Sequence, residues 1–214
     1  MKIGIIVAME KELKQLRPLF PEDQVILQQS GIGKVNAAIQ AAEMIRQYKP
    51  DCIISTGCAG GNGDDINVQD VVVSTQLAYH DVYCGEAIGH SEYGQVQGLP
   101  PRFDADPYLL EKARTLSLSK GPKVHPGLIV TGDWFVDSKE KMREIIGHFP
   151  EAKAVDMESC AIAQTCYIYK VPFISFRVIS DIPLRDTDAS MYHDFWNTIA
   201  QNSFQVTKTF IESL

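Results

Sequence analysis

The chain has 214 residues, 45% of them hydrophobic and 22% charged, the composition of an ordinary globular protein at a length one core can serve. Twenty Lys and Arg against 27 Asp and Glu leave a formal charge of −7, and an acidic surface is repelled by phosphate backbones and anionic bilayers, so nucleic-acid and membrane binding are excluded as main functions. The five cysteines form no C-x-x-C pair and no zinc-like cluster, which excludes a disulfide framework or a zinc site and reads as reduced thiols in a cytoplasmic protein.

No apolar run reaches the roughly 20 residues of a bilayer-spanning helix, and the opening MKIGIIVAMEKE lacks a signal-peptide cleavage region. Lys2–Ala8 is a β-branched run and predicts a buried strand. Glu10–Leu19 follows, with Leu13, Leu16 and Leu19 at helical spacing. Gln24–Gln28 reads as a short strand, and Lys34–Tyr48 as a helix with Val35, Ala38, Ala42 and Ile45 on one face. Asp51–Ser55 is a buried strand that opens into the glycine-rich TGCAGGNG. Asp70–Ala78 and Gly127–Thr131 are further strands, separated by a polar stretch, Asp81–Asp104, too long for a simple connection. Asp137 is predicted to cap a helix, with Glu140 three residues later. Ala152–Asp156 is a strand running into a helix over Glu158–Tyr169, and Pro172–Ile179 is another buried strand. Ser190–Leu214 closes the chain as one long amphipathic helix. Such alternation predicts one α/β domain over residues 1–214, with a parallel or mixed sheet covered on both faces.

Ligands of open α/β sheets bind beyond the carboxyl ends of strands. Four strand ends carry suggestive residues: Met9 and Glu12; Gly57–Gly61; Met157 and Glu158; Ser180 and Asp181. Each has a plain alternative. Glu12 also fits an exposed helix residue pairing with Lys. Asp181 also fits a turn before Pro183. Asp156 and Glu158 also fit the dipole of a helix start, and the glycines a tight turn. SGIGKV lacks the first Gly and the Ser/Thr of a phosphate loop, GCAGG lacks dinucleotide spacing, and no G-x-S-x-G elbow is present. His80, beside Asp81, reads as a hydrogen-bonded loop residue rather than a metal ligand.

The combination GIIVAMEKE, SGIGKVNAA, STGCAGG, YHDV, EYGQ, GLIVTGDWFV, AVDMESCAIA and VPFISFRVISD resembles the 5′-methylthioadenosine/S-adenosylhomocysteine nucleosidases of the nucleoside phosphorylase superfamily, across almost the whole chain. The resemblance implies a three-layer α/β/α domain around a mixed, partly closed sheet, and a homodimer. It implies cleavage by water of the N-glycosidic bond of an adenine nucleoside (5′-methylthioadenosine, S-adenosylhomocysteine or 5′-deoxyadenosine), without metal or organic cofactor.

By the same resemblance, Glu12 matches the acid that activates water, Glu158 the carboxylate that binds the ribose hydroxyls, and Asp181 the acid that protonates the purine at N7. Met157 matches a residue packed under the ribose, Phe135 the aromatic on adenine, and Val136 the position whose main chain reads the base edge. Cys58, Ala59 and Gly60 match the lining of the sugar and base region, Met9 and Ile32 its walls, and Tyr192 a cover over the ribose. A proton-holding acid needs a raised pKa, which the apolar run before Asp181 would supply and a nearby Arg177 would oppose. A phosphorylase must hold a phosphate dianion; a carboxylate at position 12 and no Arg pair near the first strand exit favour water instead. A purine nucleoside phosphorylase, an aminodeoxyfutalosine-type nucleosidase and a silent nucleoside-binding protein are the alternatives.

The sequence also departs from the family pattern. Phe20–Ser30 is short where a strand hairpin normally intervenes. Val82–Val96 is long and polar, with Cys84, Glu86, His90 and Ser91. Trp134 and Cys58 replace commoner smaller or hydroxyl residues.

Overall fold

The computed structural model describes residues 1–21, 24–85, 91–116, 121–186, 189–199 and 204–214; Glu86 and His90 lie outside them. Strand β1 (Ile3–Val7) is buried throughout, as its β-branched run predicts. It pairs in parallel with β2 (Val25–Gln29) and with β3 (Cys52–Gly61). The other described strands are β4 (Val71–Tyr79), β5 (Phe103–Asp104), β6 (Val124–Thr131), β7 (Ala152–Asp156) and β8 (Phe173–Asp181). β8 lies parallel to β3 and antiparallel to β4. β6 joins β4 to β7, and β7 meets β3 at Gly60–Val155 and Gly61–Ala154. The strands β3, β8, β4, β6 and β7 therefore close a ring, with β1, β2 and β5 outside it. This is the mixed, partly closed sheet that the family resemblance implies.

Side-chain alternation along the strands builds the layers. Ile5 and Ile54 join Leu16, Leu109, Phe176 and Phe210 on one face. Their neighbours Ile6 and Ile53 join Ala41, Met44, Ile162 and Ile179 on the other. Helices α1 (Glu10–Leu16), α3 (Pro107–Arg114) and α7 (Gln205–Glu212) thus cover the first face. Helices α2 (Lys34–Tyr48) and α5 (Ser159–Tyr169) cover the second. Helix α4 (Lys139–His148) packs Met142 and Ile145 against Leu128 and Val130 in a smaller cluster.

Three local expectations are corrected, and a fourth, that 81–104 is more than a simple connection, is borne out. The glycine-rich TGCAGG is no turn: it continues β3 to Gly61, because β8 and β7 pair with it on both sides. The cap of α4 is Ser138 rather than Asp137; its side chain accepts from Lys141 N–H at 3.3 Å. The polar 81–104 stretch contains β5, and α3 follows it behind an Asp106 cap. Finally, the C-terminal helix is not continuous. It runs as α6 (Ser190–Asp194), a π-helical turn (Phe195–Ile199) and α7. Phe195 and Phe204 are both buried in the same cluster. The winding has already left the α-helical form at Phe195, where the π-helical turn begins.

Candidate active site

Glu12 sits in the first turn of α1, directly after β1. One carboxylate oxygen accepts from the N–H groups of Ala8 and Met9 at 3.0 and 2.9 Å, satisfying donors the helix start leaves free. The other accepts from Cys58 N–H at 2.8 Å, which ties α1 to the end of β3. Glu12 is 1% exposed and pairs with no Lys among the described residues, so the exposed-helix alternative is overturned. Burial pushes its carboxyl above the ordinary range, against the pull of Arg177 and the three N–H groups.

Arg177 is the centre of this end of the site. It rises from β8 opposite Gly57 of β3, 1% exposed. A Cβ at Gly57 would lie 2.6 Å from a Glu12 oxygen and closer still to the guanidinium, so a glycine here is what lets cation and carboxylate approach. Arg177 Nε lies 2.7 Å from Asp156 Oδ2 and donates to Ser159 Oγ at 2.9 Å. Nη2 donates to Ser55 Oγ at 2.9 Å and lies 3.7 Å from Glu158 Oε2. Nη1 has no protein partner among the described residues. Glu158, the residue before α5, accepts from Gly33 N–H at 3.0 Å, bringing in the start of α2. Burial, with Asp156 and Glu12 nearby, lifts its carboxyl to about 7 against the Arg177 attraction.

Asp181 lies at the other end, at the tip of β8. The β3–β8 register slips here: Ala59 faces Ile179 while Gly60 faces Asp181, so Ser180 is the extra residue. Such a bulge re-aims side chains, and both Ser180 and Asp181 line the cleft. Ser180 Oγ donates to Asp181 Oδ1 at 2.6 Å. Burial lifts Asp181 to about 6, the Ser180 hydrogen bond opposing and Asp186 adding to the rise. Arg177 does not oppose it; its guanidinium is directed to Asp156 and Glu158 instead.

The cleft between these ends encloses about 620 Å³, counting the solvent at its open mouth. The predicted residues are brought together without exception: Met9, Glu12, Ile32, Cys58, Ala59, Gly60, Phe135, Val136, Met157, Glu158, Asp181 and Tyr192 all line it. Phe135 and Tyr192 meet edge to face at 5.2 Å across the opening, and the Tyr192 hydroxyl lies 3.8 Å from Met9 Sδ. Cys58 is a thiol held well above its usual range, chiefly by burial and by Glu12. Trp134 also lines the cleft, its ring under Lys141 Nζ at 4.6 Å.

Sequence reasoning missed the structural role of Arg177 and Asp156. The lack of an Arg pair near the first strand exit holds in chain order only, since β8 delivers a guanidinium there from a distant part of the chain. The only available signal was an Arg in the middle of an otherwise apolar strand, where a charge demands a partner. His80 departs from expectation too: it is buried, and neither ring nitrogen has a hydrogen-bond partner among the described residues.

Comparison with known proteins gives a consistent picture. The profile of the phosphorylase superfamily matches residues 2–212. A 5′-methylthioadenosine/S-adenosylhomocysteine nucleosidase of Exiguobacterium sp. is 42% identical, over 95% of this chain and 94% of the relative. The Neisseria meningitidis nucleosidase of the same name, solved in complex with methylthio-immucillin-A, is 40% identical with a TM-score of 0.89, over 100% of this chain and 99% of that one. The Colwellia psychrerythraea nucleosidase, solved with adenine, is 35% identical with a TM-score of 0.90, over 100% of this chain and 96% of that one.

Proposed function

The chain belongs to the phosphorylase superfamily and, within it, to the 5′-methylthioadenosine/S-adenosylhomocysteine nucleosidases, and from that premise we infer that it is a hydrolase cleaving the N-glycosidic bond of adenine nucleosides with water. The observation that carries the reading is the convergence of Glu12, Glu158 and Asp181, from three strand ends, on one cleft. Adenine leaves poorly as an anion. Asp181 gives a proton to N7, so that the base leaves neutral with the electron pair of the C1′–N9 bond. The sugar gains oxocarbenium character, as in glycoside cleavage. Water attacks C1′ and Glu12 takes its proton. Glu158 accepts from the ribose hydroxyls through charge-assisted bonds worth about 1.5–3 kcal/mol each.

The walls complete the assignment. Phe135 stacks on the base, Met157 packs under the ribose, and the Val136 main chain reads the base edge. Met9, Ile32, Cys58, Ala59, Gly60 and Tyr192 shape the remaining surface. The substrates are 5′-methylthioadenosine and S-adenosylhomocysteine, the compounds for which the relatives are named. Phosphate is disfavoured as nucleophile, because Arg177 is already faced by Asp156, Glu158 and Glu12. The test is incubation with methylthioadenosine in phosphate-free buffer. Free adenine is expected; turnover that requires phosphate and yields a sugar phosphate would sink the reading.

We also infer a homodimer in the cytoplasm. Ile32, Val35 and Ile39, at and along the start of α2, are 51%, 69% and 54% exposed. They form an apolar strip continuous with the cleft through Ile32, and a second copy would cover it. Sedimentation should give twice the chain mass, and Val35→Lys should lower it; a wild-type monomer removes the dimer. All five cysteines are free, in keeping with a reducing compartment.

A further inference from the structure

Asp156 takes no part in the steps above, yet it holds the cation beneath the cleft more closely than either glutamate does. Its side chain is 1% exposed and lies 2.7 Å from Arg177 Nε, where Glu158 lies 3.7 Å from Nη2. Its other oxygen accepts from the Thr131 hydroxyl at 2.5 Å, and both oxygens lie 3.3 Å from Ser159 N–H. Thr131 stands opposite Asp156 in the β6–β7 register, and its oxygen accepts in turn from Cys160 N–H at 2.9 Å. β6, α5 and β8 therefore clamp this carboxylate in place.

A guanidinium is a planar fork. Holding it by Nε fixes its plane, and the plane decides where the other two nitrogens go. Nη2 is aimed at Ser55 and Glu158, and Nη1 lies over Gly57 beside Glu12. We propose that Asp156 is a positioning residue for the hydrolysis inferred above: it pins the plane of Arg177 and so sets how one buried cation is divided between Glu158 and Glu12. The proposal rests on that reading for its consequence, and on the contacts themselves for its geometry.

Charge balance gives the arrangement its effect. Three carboxylates face one guanidinium out of water, so the division of that cation governs which glutamate ionises easily. The groups facing Glu158 are Arg177 from β8, Asp156 from β7, Glu12 from α1, Cys58 from β3 and the Gly33 N–H at the start of α2. His80 and Cys160 also face Asp156, from the end of β4 and from α5. Removing the Asp156 charge takes a repulsion from Glu158 and frees Arg177 to serve it, so Glu158 should ionise at lower pH.

The test uses Asp156→Asn, which keeps the shape and drops the charge. Glu12 and Glu158 carboxyl carbons are titrated by 13C NMR in both proteins, alongside the pH dependence of kcat/KM for methylthioadenosine. The expected result is a Glu158 midpoint lower by about one unit, with the acid limb of kcat/KM displaced the same way. Thr131→Val removes a strut but no charge; it should lower Tm and leave the midpoint in place. Asp156→Glu keeps the charge on a longer arm, and its midpoint should fall between those of wild type and Asp156→Asn. It serves alone if Asp156→Asn does not fold. An unmoved Glu158 midpoint in Asp156→Asn, or in Asp156→Glu where only that folds, overturns the proposal. So does a Thr131→Val protein that reproduces the whole shift. A wild-type protein that releases no adenine defeats the hydrolysis reading instead, while the NMR midpoints still decide on Asp156.

Discussion

The two ends of the cleft are built from the same residue type and differ in what faces it. At one end Glu12 and Glu158 are buried around a guanidinium. At the other Asp181 is buried with a hydroxyl as its hydrogen-bond donor. Burial raises all three carboxyls, so burial alone cannot assign their roles. What opposes burial differs: Arg177 pulls Glu12 and Glu158 toward the ionised form, although Glu158 still rises to about 7, whereas at Asp181 the opposing pull is the Ser180 hydrogen bond. One strand, β8, supplies both the guanidinium and the uncompensated acid, four residues apart.

The largest effect should come from the end without a cation. Asp181→Asn removes the proton donor, and kcat should fall by about 10²–10⁴-fold with nucleoside binding largely retained. Unchanged turnover would remove Asp181 from the acid role. Glu12→Gln should also fall by about 10²–10⁴-fold, but with a different pH signature. Turnover needs Glu12 ionised and Asp181 protonated, so Glu12→Gln should lose the acid limb that Glu12 sets, and Asp181→Asn the alkaline limb that Asp181 sets. Parallel pH–rate profiles for the two variants would erase the distinction between the ends.

The contrast extends to stability. Folded Asp181 keeps a proton to about 6, against an ordinary value of 3.8. Between these values the unfolded chain has released a proton that the folded chain holds, so stability falls as pH rises through the window and the loss is complete above it. The difference corresponds to about 3 kcal/mol. Asp181→Asn should thus raise Tm at pH 8 by on the order of 10 °C and change it little at pH 4. Thermal melts at the two pH values check this; an equal change at both would show that the gain is not electrostatic. The residue with the greatest effect on turnover is then one whose native form costs stability.

Much of this was legible in the chain and some was not, for physical reasons. The apolar runs of β1 and β8 declare themselves because buried strands need β-branched, continuous hydrophobicity. The three acids stand at strand ends, where an α/β sheet places its ligands. The signal for α3 was present in Asp106-Pro107, a cap followed by a first-turn proline. The continuation of β3 through TGCAGG was hidden, since glycine alone argues for a turn and only the flanking β7 and β8 hold it extended. The change from α to π winding after Asp194 was hidden, because the apolar spacing of this segment reads as one amphipathic helix. Arg177 was least legible, because its partners Asp156, Glu158 and Ser55 come together only when the ring of strands closes.

The finest test of the comparison uses two serines in like positions. Ser180 donates to Asp181, and Ser55 accepts from Arg177. The Ser180 bond stabilises the ionised acid and so holds Asp181 below where burial alone would put it. Ser180→Ala should raise the Asp181 midpoint by about one unit. Activity that depends on a protonated Asp181 then persists to higher pH, so the alkaline limb of kcat moves upward. Ser55→Ala removes a hydrogen bond of similar kind from the guanidinium end, where Asp156 and Ser159 still hold Arg177. It should leave the alkaline limb in place. Measuring both profiles tests whether the ends titrate independently: a Ser55→Ala protein that shifts the alkaline limb as far as Ser180→Ala would mean that Asp181 feels the buried cation after all, and that the two ends form one coupled set.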